Sequence, residues 1–566
     1  MKFVVLSTLT LFWAAVSQDI AGESAAIVVG DKMGTLMSLK SSHFEDKMVA
    51  GAFADGKYKS MGATPCKDGK AGEYSCEKVD LRAFVTHGDM GSQSRAGNDI
   101  WGWTSDDGRE FALVGQTDGT AFVEVVKDGS LKPVGRLPTQ TENAIWRDIK
   151  VIGSHAYIGA ESRDHGLQVF DLRKLLSVDG DGIKTFDTKT DLAALYTGFG
   201  SSHNIVADAE TNTIFAVGAS RQAACNGSNG GLIMLDVKEP SKPTLLGCAG
   251  DDGYVHDAQC MVYRGVDKKF AERHICMAFD ESKLAIMDVT DKAKPAVLSR
   301  TFYDGFNGKG AYTHQGWTVD AGGATRQAAC NGSNGGLIML DVKEPSKPTL
   351  LGCAGDDGYV HDAQCMVYRG VDKKFAERHI CMAFDESKLA IMDVTDKAKP
   401  AVLSRTFYDG FNGKGAYTHQ GWTVDADMRY LVLDDELDEV MRRNASQDTH
   451  TTTYIFDLAD LTAPRWTGQY KSPVRSIDHN QYVVDNAVSY QANYASGLRV
   501  VDVSGVPADP TGGNMKELAH FDCYPEDDAD PQPEFNGAWS VYPWFKSGTV
   551  VLNCIERGLF ALKVNM

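Results

Sequence analysis

GLRVVDV, from Gly497 to Val503, is a short apolar strand that opens on glycine and closes on an acidic residue followed by a branched apolar one. The same string returns as GTAFVEV from Gly119, GLQVFDL from Gly166, GLIMLDV from Gly231 and Gly336, KLAIMDV from Lys283 and Lys388, TTYIFDL from Thr452 and GLFALKV from Gly558. These nine copies start 45 to 65 residues apart, the length of one four-stranded propeller blade with variable loops. Around Gly497 the rest of a blade is legible. IDHNQYVVD and AVSYQANY precede the string and MKELAHFD follows it past a proline-containing turn, four β-type runs separated by turn residues. The sequence therefore predicts an all-β chain, a β-propeller of four-stranded blades.

First strands read DIWGWT from Asp99, DIKVIG from Asp148, HNIVAD from His203, HDAQCMVY from His256, HQGWTVD from His314 and GAWSVYP from Gly537. The last copy, at Gly558, has no outermost strand after it. VDLRAFVTHGD from Val79 resembles the fourth-strand run KELAHFD, so the segment near 79–86 is expected to pair with the C-terminal blade and remove the open edge. On this reading residues 65–566 form the propeller and 18–64 a partly irregular N-terminal extension.

Residues 221–321 recur without a change as 326–426. Two of the nine third strands lie in the copied unit, and seven blades remain without it, the count expected for a closed ring of this kind. The copy ignores blade boundaries. HNIVADAETNTIFAVGAS precedes Arg221, whereas HQGWTVDAGGAT precedes Arg326, so the hybrid blade beginning at His314 is expected to lack its second strand. Such identity points to a recent in-frame duplication or to an error in assembling the gene.

The opening residues MKFVVLSTLTLFWAAVSQ read as a secretory signal, 1–17, with cleavage after Ser17. No other apolar run is long enough for a membrane span, and the apolar C-terminal GLFALKVNM lacks the tail of a lipid-anchor signal. A secreted, extracellular protein is expected. The twelve cysteines fall as local pairs, Cys66 with Cys76, Cys225 with Cys248, Cys260 with Cys276, Cys330 with Cys353, Cys365 with Cys381 and Cys523 with Cys554, which suits that compartment. Asn226, Asn331 and Asn444 begin glycosylation sequons. The net charge of −19 argues against a nucleic-acid or anionic-membrane partner.

The string GNDIWGWTSDDGREFALVGQTDGTAFVEVV from Gly97 and WRDIKVIGSHAYIGAESRDHGLQVFDL from Trp146 closely resemble the choice-of-anchor B family, whose units are called LVIVD repeats. The likeness continues through YVHDAQCMVYRG, YTHQGWTVDADMRYLVLDDELDE and the blade around Gly497, covering nearly everything from Pro65 onward apart from the extra copy. The resemblance implies a secreted or surface-exposed propeller of seven blades, with no biochemical role established for the family as a group. Its members are named for variable C-terminal anchors, and no such anchor is read in this sequence.

In a propeller the first strand of every blade lines the central channel. Here the residues opening those strands are regularly polar: Arg147 and Asp148, His203, His256 and Asp257, His314, His361 and Asp362, His419, and His479. Such imidazoles and carboxylates can bind a transition metal or polarise a substrate, or they can tie each strand to a neighbouring loop, as repeated packing would demand. The run DDELDE offers Asp434, Asp435, Glu436, Asp438 and Glu439 as hard oxygen ligands suited to calcium, the alternative being an acidic solvated turn. Trp101, Trp103, Trp317, Trp422 and Trp544 are candidates for a sugar- or protein-binding face or for interblade core. No nucleophile elbow, phosphate loop or HExxH motif is present. The leading expectation is a binding scaffold for a protein or glycan partner. The second is a metal-dependent hydrolase or lyase built on the channel histidines and aspartates.

Overall fold

Leu498–Asp502, the strand that opened the sequence reading, is the third of four antiparallel strands and is buried on both faces between neighbouring blades. That position explains why its string is apolar throughout instead of alternating. Even Arg499, 2% exposed, lies inside, where it pairs with Glu517 at 3.2 Å. The glycine that precedes such strands is needed for its conformation. Gly231 has φ +82°, and a Cβ there would stand 2.6 Å from the Ala249 carbonyl oxygen of the fourth strand. The acidic residue that ends them caps the following turn. Asp502 accepts the Ser504 amide at 2.9 Å, as Asp236 does that of Lys238 at 2.8 Å, and Asp288, Asp393 and Asp457 those of Thr290, Thr395 and Ala459 at 2.9 Å.

The computed structural model describes residues 32–178, 182–219, 231–250, 255–264, 269–280, 283–302, 337–341, 349–354, 360–385, 387–395, 401–413 and 415–566. Eight four-stranded blades form a propeller ring. Blade 1 begins with Gly97–Thr104, blade 2 with Arg147–Ile152, blade 3 with Asn204–Asp208 and blade 4 with Val255–Val262. Blade 5 begins with Val360–Val367, blade 6 with Thr418–Thr423, blade 7 with Asn480–Val484 and blade 8 with Ala538–Tyr542. First strands pack against one another from blade 5 through 6, 7, 8, 1, 2 and 3 to 4.

Seven blades are expected without the copied unit and up to nine third strands with it; eight complete blades are present. The duplication carries one whole blade, so blade 5 repeats blade 4. The ninth third strand, Leu337–Asp341, pairs only with Thr349–Ala354 among the described residues, as a two-stranded ribbon. The run Thr213–Val217, which is the second strand of blade 3, has no copy ahead of Arg326, and a blade cannot form without it. His314 lies outside the described residues.

Val79–Thr86 pairs antiparallel with Gly558–Val564 as the fourth strand of blade 8, with Val79 opposite Val564 and Thr86 opposite Gly558. Phe84 stacks on Phe560 with ring centroids 4.2 Å apart, and Tyr74 meets both edge-on. Tyr74–Glu77 extends blade 7 beyond Lys516–Phe521. Disulfides join Cys66 to Cys76, Cys260 to Cys276, Cys365 to Cys381 and Cys523 to Cys554. Cys225 and Cys330 lie outside the described residues, as do Asn226 and Asn331, while Asn444 is exposed. Among the described residues no helix is long and apolar enough to cross a membrane.

Two helices matter for the site. Helix α1, Lys32–Val49, lies within the N-terminal extension and docks over the loop between blades 7 and 8, with His43 Nε2 2.7 Å from Asn536 Oδ1 and Lys47 Nζ 3.3 Å from Glu534. Helix α2, Asp438–Asn444, follows the second strand of blade 6.

Candidate functional site

The first strands of blades 1, 2, 7 and 8 surround a cavity of ≈ 490 Å³ in the channel. Its wall is aromatic: Trp101 from blade 1, Trp146 beside blade 2, Tyr482 from blade 7, and Trp539, Tyr542 and Trp544 from blade 8. Trp101 is 39% and Trp544 51% exposed, so large flat faces are left open to solvent. Polar groups converge between them. Lys150 Nζ stands 2.5 Å from Asp148 Oδ1 and 5.0 Å from the centre of the Trp101 ring. Burial, then the charge of Asp148, push the Asp99 carboxyl up to about 7 against the pull of Lys150. A carboxyl that keeps part of its proton at neutral pH thus shares the cavity with one that is tied to a lysine.

The residues singled out from sequence divide between packing and the channel mouth. Buried Arg147 donates from Nε to the Gln116 carbonyl at 3.0 Å and meets His165 Nε2 at 3.0 Å. Asp148 Oδ2 accepts the Ile205 amide at 2.7 Å and so ties blade 2 to blade 3, and His203 pairs with Glu161. These are the strand-to-neighbour ties expected of repeated packing. His256 and Asp257 fall in the first strand of blade 4, and His361 and Asp362 in that of blade 5; their side chains lie outside the described residues. Trp103 is core, donating to the Gly153 carbonyl at 3.1 Å, and Trp422 is partly buried against Tyr482. Trp317 lies outside the described residues.

The DDELDE run is not a solvated turn: Asp434, Asp435, Glu436, Asp438 and Glu439 are all 2% exposed or less. Its carboxyls anchor buried backbone where the chain leaves the second strand of blade 6 for α2. Asp435 accepts the amides of Ala416 and Tyr417 at 2.7 and 2.6 Å and the Tyr408 hydroxyl at 2.8 Å. Asp434 accepts the Gln420 amide, Asp438 the Tyr454 hydroxyl and Glu439 the Thr452 amide. Burial drives the carboxyls of Asp434, Glu439 and neighbouring Asp478 well above the ordinary range and that of Asp438 to about 7.

Glu436 alone in that run turns toward the channel. Its oxygens lie 3.8 Å from His419 Nε2 and 3.7 Å from His479 Nε2, and the Tyr494 hydroxyl donates to it at 3.0 Å. Lys40 of α1 reaches in to 2.7 Å, its ammonium lying over Tyr494, Phe535 and Trp539. Burial alone would raise the Glu436 carboxyl, but Lys40, with the two histidines, holds it well below the usual carboxylate range. Helix α1 thereby covers this mouth of the channel, and Trp146 and Trp539 border both the large cavity and a smaller space of ≈ 40 Å³ under the helix.

The sequence reading stopped at the residues that open each first strand and so missed Trp146, Tyr482, Trp539, Tyr542 and Lys40. The first-strand alternation was the available signal for Tyr482 and Tyr542, which follow channel-side positions at a period of two.

Fold and channel define the chain as an eight-bladed β-propeller with an aromatic channel cavity. Among solved structures it is similar to Sqt1 from Chaetomium thermophilum, at 9% identity over 83% of this chain and 92% of that one, with a TM-score of 0.41. A further structure of that protein has it bound to the N-terminus of ribosomal protein L10. It is also similar to a periplasmic gluconolactonase of Pseudomonas aeruginosa, at 9% identity over 71% and 93% of the two chains with a TM-score of 0.30. The Myceliophteria thermophila Cps50 (Swd1) β-propeller domain gives 10% identity over 74% and 96%, with a TM-score of 0.33. No protein-family model matches the chain, and no curated protein matches it.

Proposed function

We propose that this is a secreted propeller scaffold, of the choice-of-anchor B kind, that binds a glycan partner at the aromatic mouth of its channel. The observation that carries the reading is the ≈ 490 Å³ cavity walled by Trp101, Trp146, Trp539 and Trp544 with Asp99, Asp148 and Lys150 between them. Flat aromatic faces stack on the C–H faces of sugar rings, and carboxylates and amides satisfy hydroxyls, so this mixture suits a carbohydrate better than a purely apolar ligand. The size suits a small ligand or one end of a chain. The four disulfides whose partners both lie among the described residues support an oxidising compartment.

The test is binding of the full chain to a panel of glycans, with Trp101→Ala and Trp544→Ala as probes. Each is expected to weaken binding about tenfold, the loss of one stacked aromatic. No glycan bound, or binding that survives the double variant, overturns the reading. A second reading is a hydrolase or lyase, favoured by two carboxyls in unlike surroundings, Asp99 pushed up by burial and Asp148 paired with Lys150. Turnover of a bound glycan that Asp99→Asn abolishes while binding persists would support it.

A further inference from the structure

The two histidines at the α1 mouth are arranged in a way that structural packing does not require. His419 comes from the first strand of blade 6, His479 immediately precedes that of blade 7, and Glu436 follows the second strand of blade 6. One ligand atom from each lies within 4.8 Å of the other two. Ligands held at about 2.1 Å around a tetrahedral zinc ion stand about 3.4 Å apart, so a closure of up to about 1.4 Å by rotation of side chains would complete the set.

The orientation of His479 is a second and independent observation. Its Nδ1 stands 3.0 Å from the Trp539 carbonyl oxygen, an acceptor, and 3.1 Å from Asn480 Nδ2, a donor; in the tautomer that donates to the carbonyl, the ring proton sits on Nδ1 and Nε2 is the ligating atom. Asn480 Nδ2, 3.2 Å from the same carbonyl, shares that acceptor. Nε2, on the opposite side of the ring, lies 3.7 Å from the Glu436 carboxylate. A backbone carbonyl fixing the far ring nitrogen is the outer-shell contact that metal-binding histidines use. A third observation is Glu436 Oε2, buried and accepting no hydrogen bond among the described residues. The local positive charge is supplied from outside the blades by Lys40, on the other oxygen.

We propose that His419, Glu436 and His479 form a binding site for a divalent transition metal of the zinc class, and that Lys40 holds the same carboxylate when the metal is absent. Two imidazoles and one carboxylate are a borderline-soft donor set that suits zinc over calcium and leaves a fourth position for water or a ligand. The ammonium and the metal compete for one carboxylate, so metal binding is linked to release of Lys40, and through it of α1, from the channel mouth.

The experiment is a Co²⁺ titration of the full, chelator-stripped chain followed by visible absorption, with Zn²⁺ back-titration and melting temperatures with and without Zn²⁺. One equivalent of Co²⁺ with four-coordinate absorption, displaced by Zn²⁺, is expected. His419→Gln and Glu436→Gln lose both the absorption and the zinc-induced rise in melting temperature. Lys40→Met binds more tightly, by about tenfold, as linkage to a competing cation requires. Absence of the absorption in both the parent and Lys40→Met overturns the proposal, as does absorption that survives both ligand substitutions. Variant melting temperatures in chelator show that each chain is folded, and Glu436→Gln is isosteric.

Discussion

The ammonium of Lys40, carried by α1, stands 2.7 Å from the carboxylate of Glu436, whose side chain is 1% exposed. Removing one partner of a buried pair strands the other, at a cost of about 3–5 kcal/mol. Here the Tyr494 hydroxyl still donates to Glu436, so Lys40→Met is expected to cost about 2–3 kcal/mol in chelator-treated protein. Glu436→Gln should cost less, because Lys40 keeps its aromatic neighbours and part of its hydration. The double variant should recover part of the loss, and urea unfolding of the four proteins of this cycle reads the coupling directly.

Stability should decline between pH 6.5 and 8. Burial pushes the carboxyls of Asp522 and Glu556 up to about 7, so the folded chain keeps protons that the unfolded chain has released by about pH 5. Their stabilising contribution is complete at low pH and is lost as pH rises through about 7. His87 and His165, pushed down by burial to about 4 and about 3, work in the opposite sense: their cost appears only below the ordinary histidine value. Above pH 6.5 the raised carboxyls, Asp99 and Asp438 among them, therefore set the slope, each giving at most about 1.4 kcal/mol per pH unit. Asp522→Asn and Glu556→Gln should flatten that slope in urea unfolding at the two pH values, while retaining the side-chain oxygen that accepts the Tyr524 or Gly537 amide.

What was legible in the sequence was what each blade encodes locally. The glycine at Gly231 and the acid at Asp236 recur because one relieves a clash with the fourth strand and the other caps the next turn, and both devices lie within a few residues of their partners. The blade count was less legible, because the missing copy of Thr213–Val217 tells where a blade fails but not how many complete ones close around it. The cavity was not legible. Trp146 and Trp539 line one cavity only once the ring sets blades 2 and 8 on either side of blade 1, and nothing near either residue encodes the other. Lys40 was hidden more deeply still, since its partner is supplied by an acidic run whose composition suggests a solvated turn and whose burial depends on α2 folding inward.

The ring should depend on its N-terminal closure. Removing residues through Thr86 deletes the strand that covers Gly558–Val564 and the Phe84 ring stacked on Phe560. An exposed edge of a nearly all-apolar strand invites intermolecular pairing, so the shortened chain should elute as aggregates in size-exclusion chromatography with light scattering, where the full chain gives one species. The Cys523–Cys554 disulfide, with a sequence separation of 31, joins the same region covalently. Replacing both cysteines by serine should cost about 3–4 kcal/mol on chain-entropy grounds, read by urea unfolding, without producing aggregates.

The duplicated unit offers the sharpest test of the architecture. Deleting residues 221–325 joins Ser220 to Arg326 and restores the uninterrupted order HNIVADAETNTIFAVGAS followed by RQAACNGS. The hairpin Asn204–Asp208 and Thr213–Val217 then gains Leu337–Asp341 and Thr349–Ala354 as its third and fourth strands, and the two-stranded ribbon disappears into a complete blade. Blade 4, Val255–Phe302, lies within the deletion, blade 5 of the same sequence takes its place, and seven blades remain. With the ribbon taken up into a four-stranded blade, the shorter chain should melt at least about 5 °C higher than the full one and elute as a monomer. A lower melting temperature, or aggregation, would show instead that the eighth blade is integral to the ring. The mass of the deglycosylated protein isolated from its natural source tells which of the two rings is made: a species shorter by 105 residues means that the seven-bladed one is the native form.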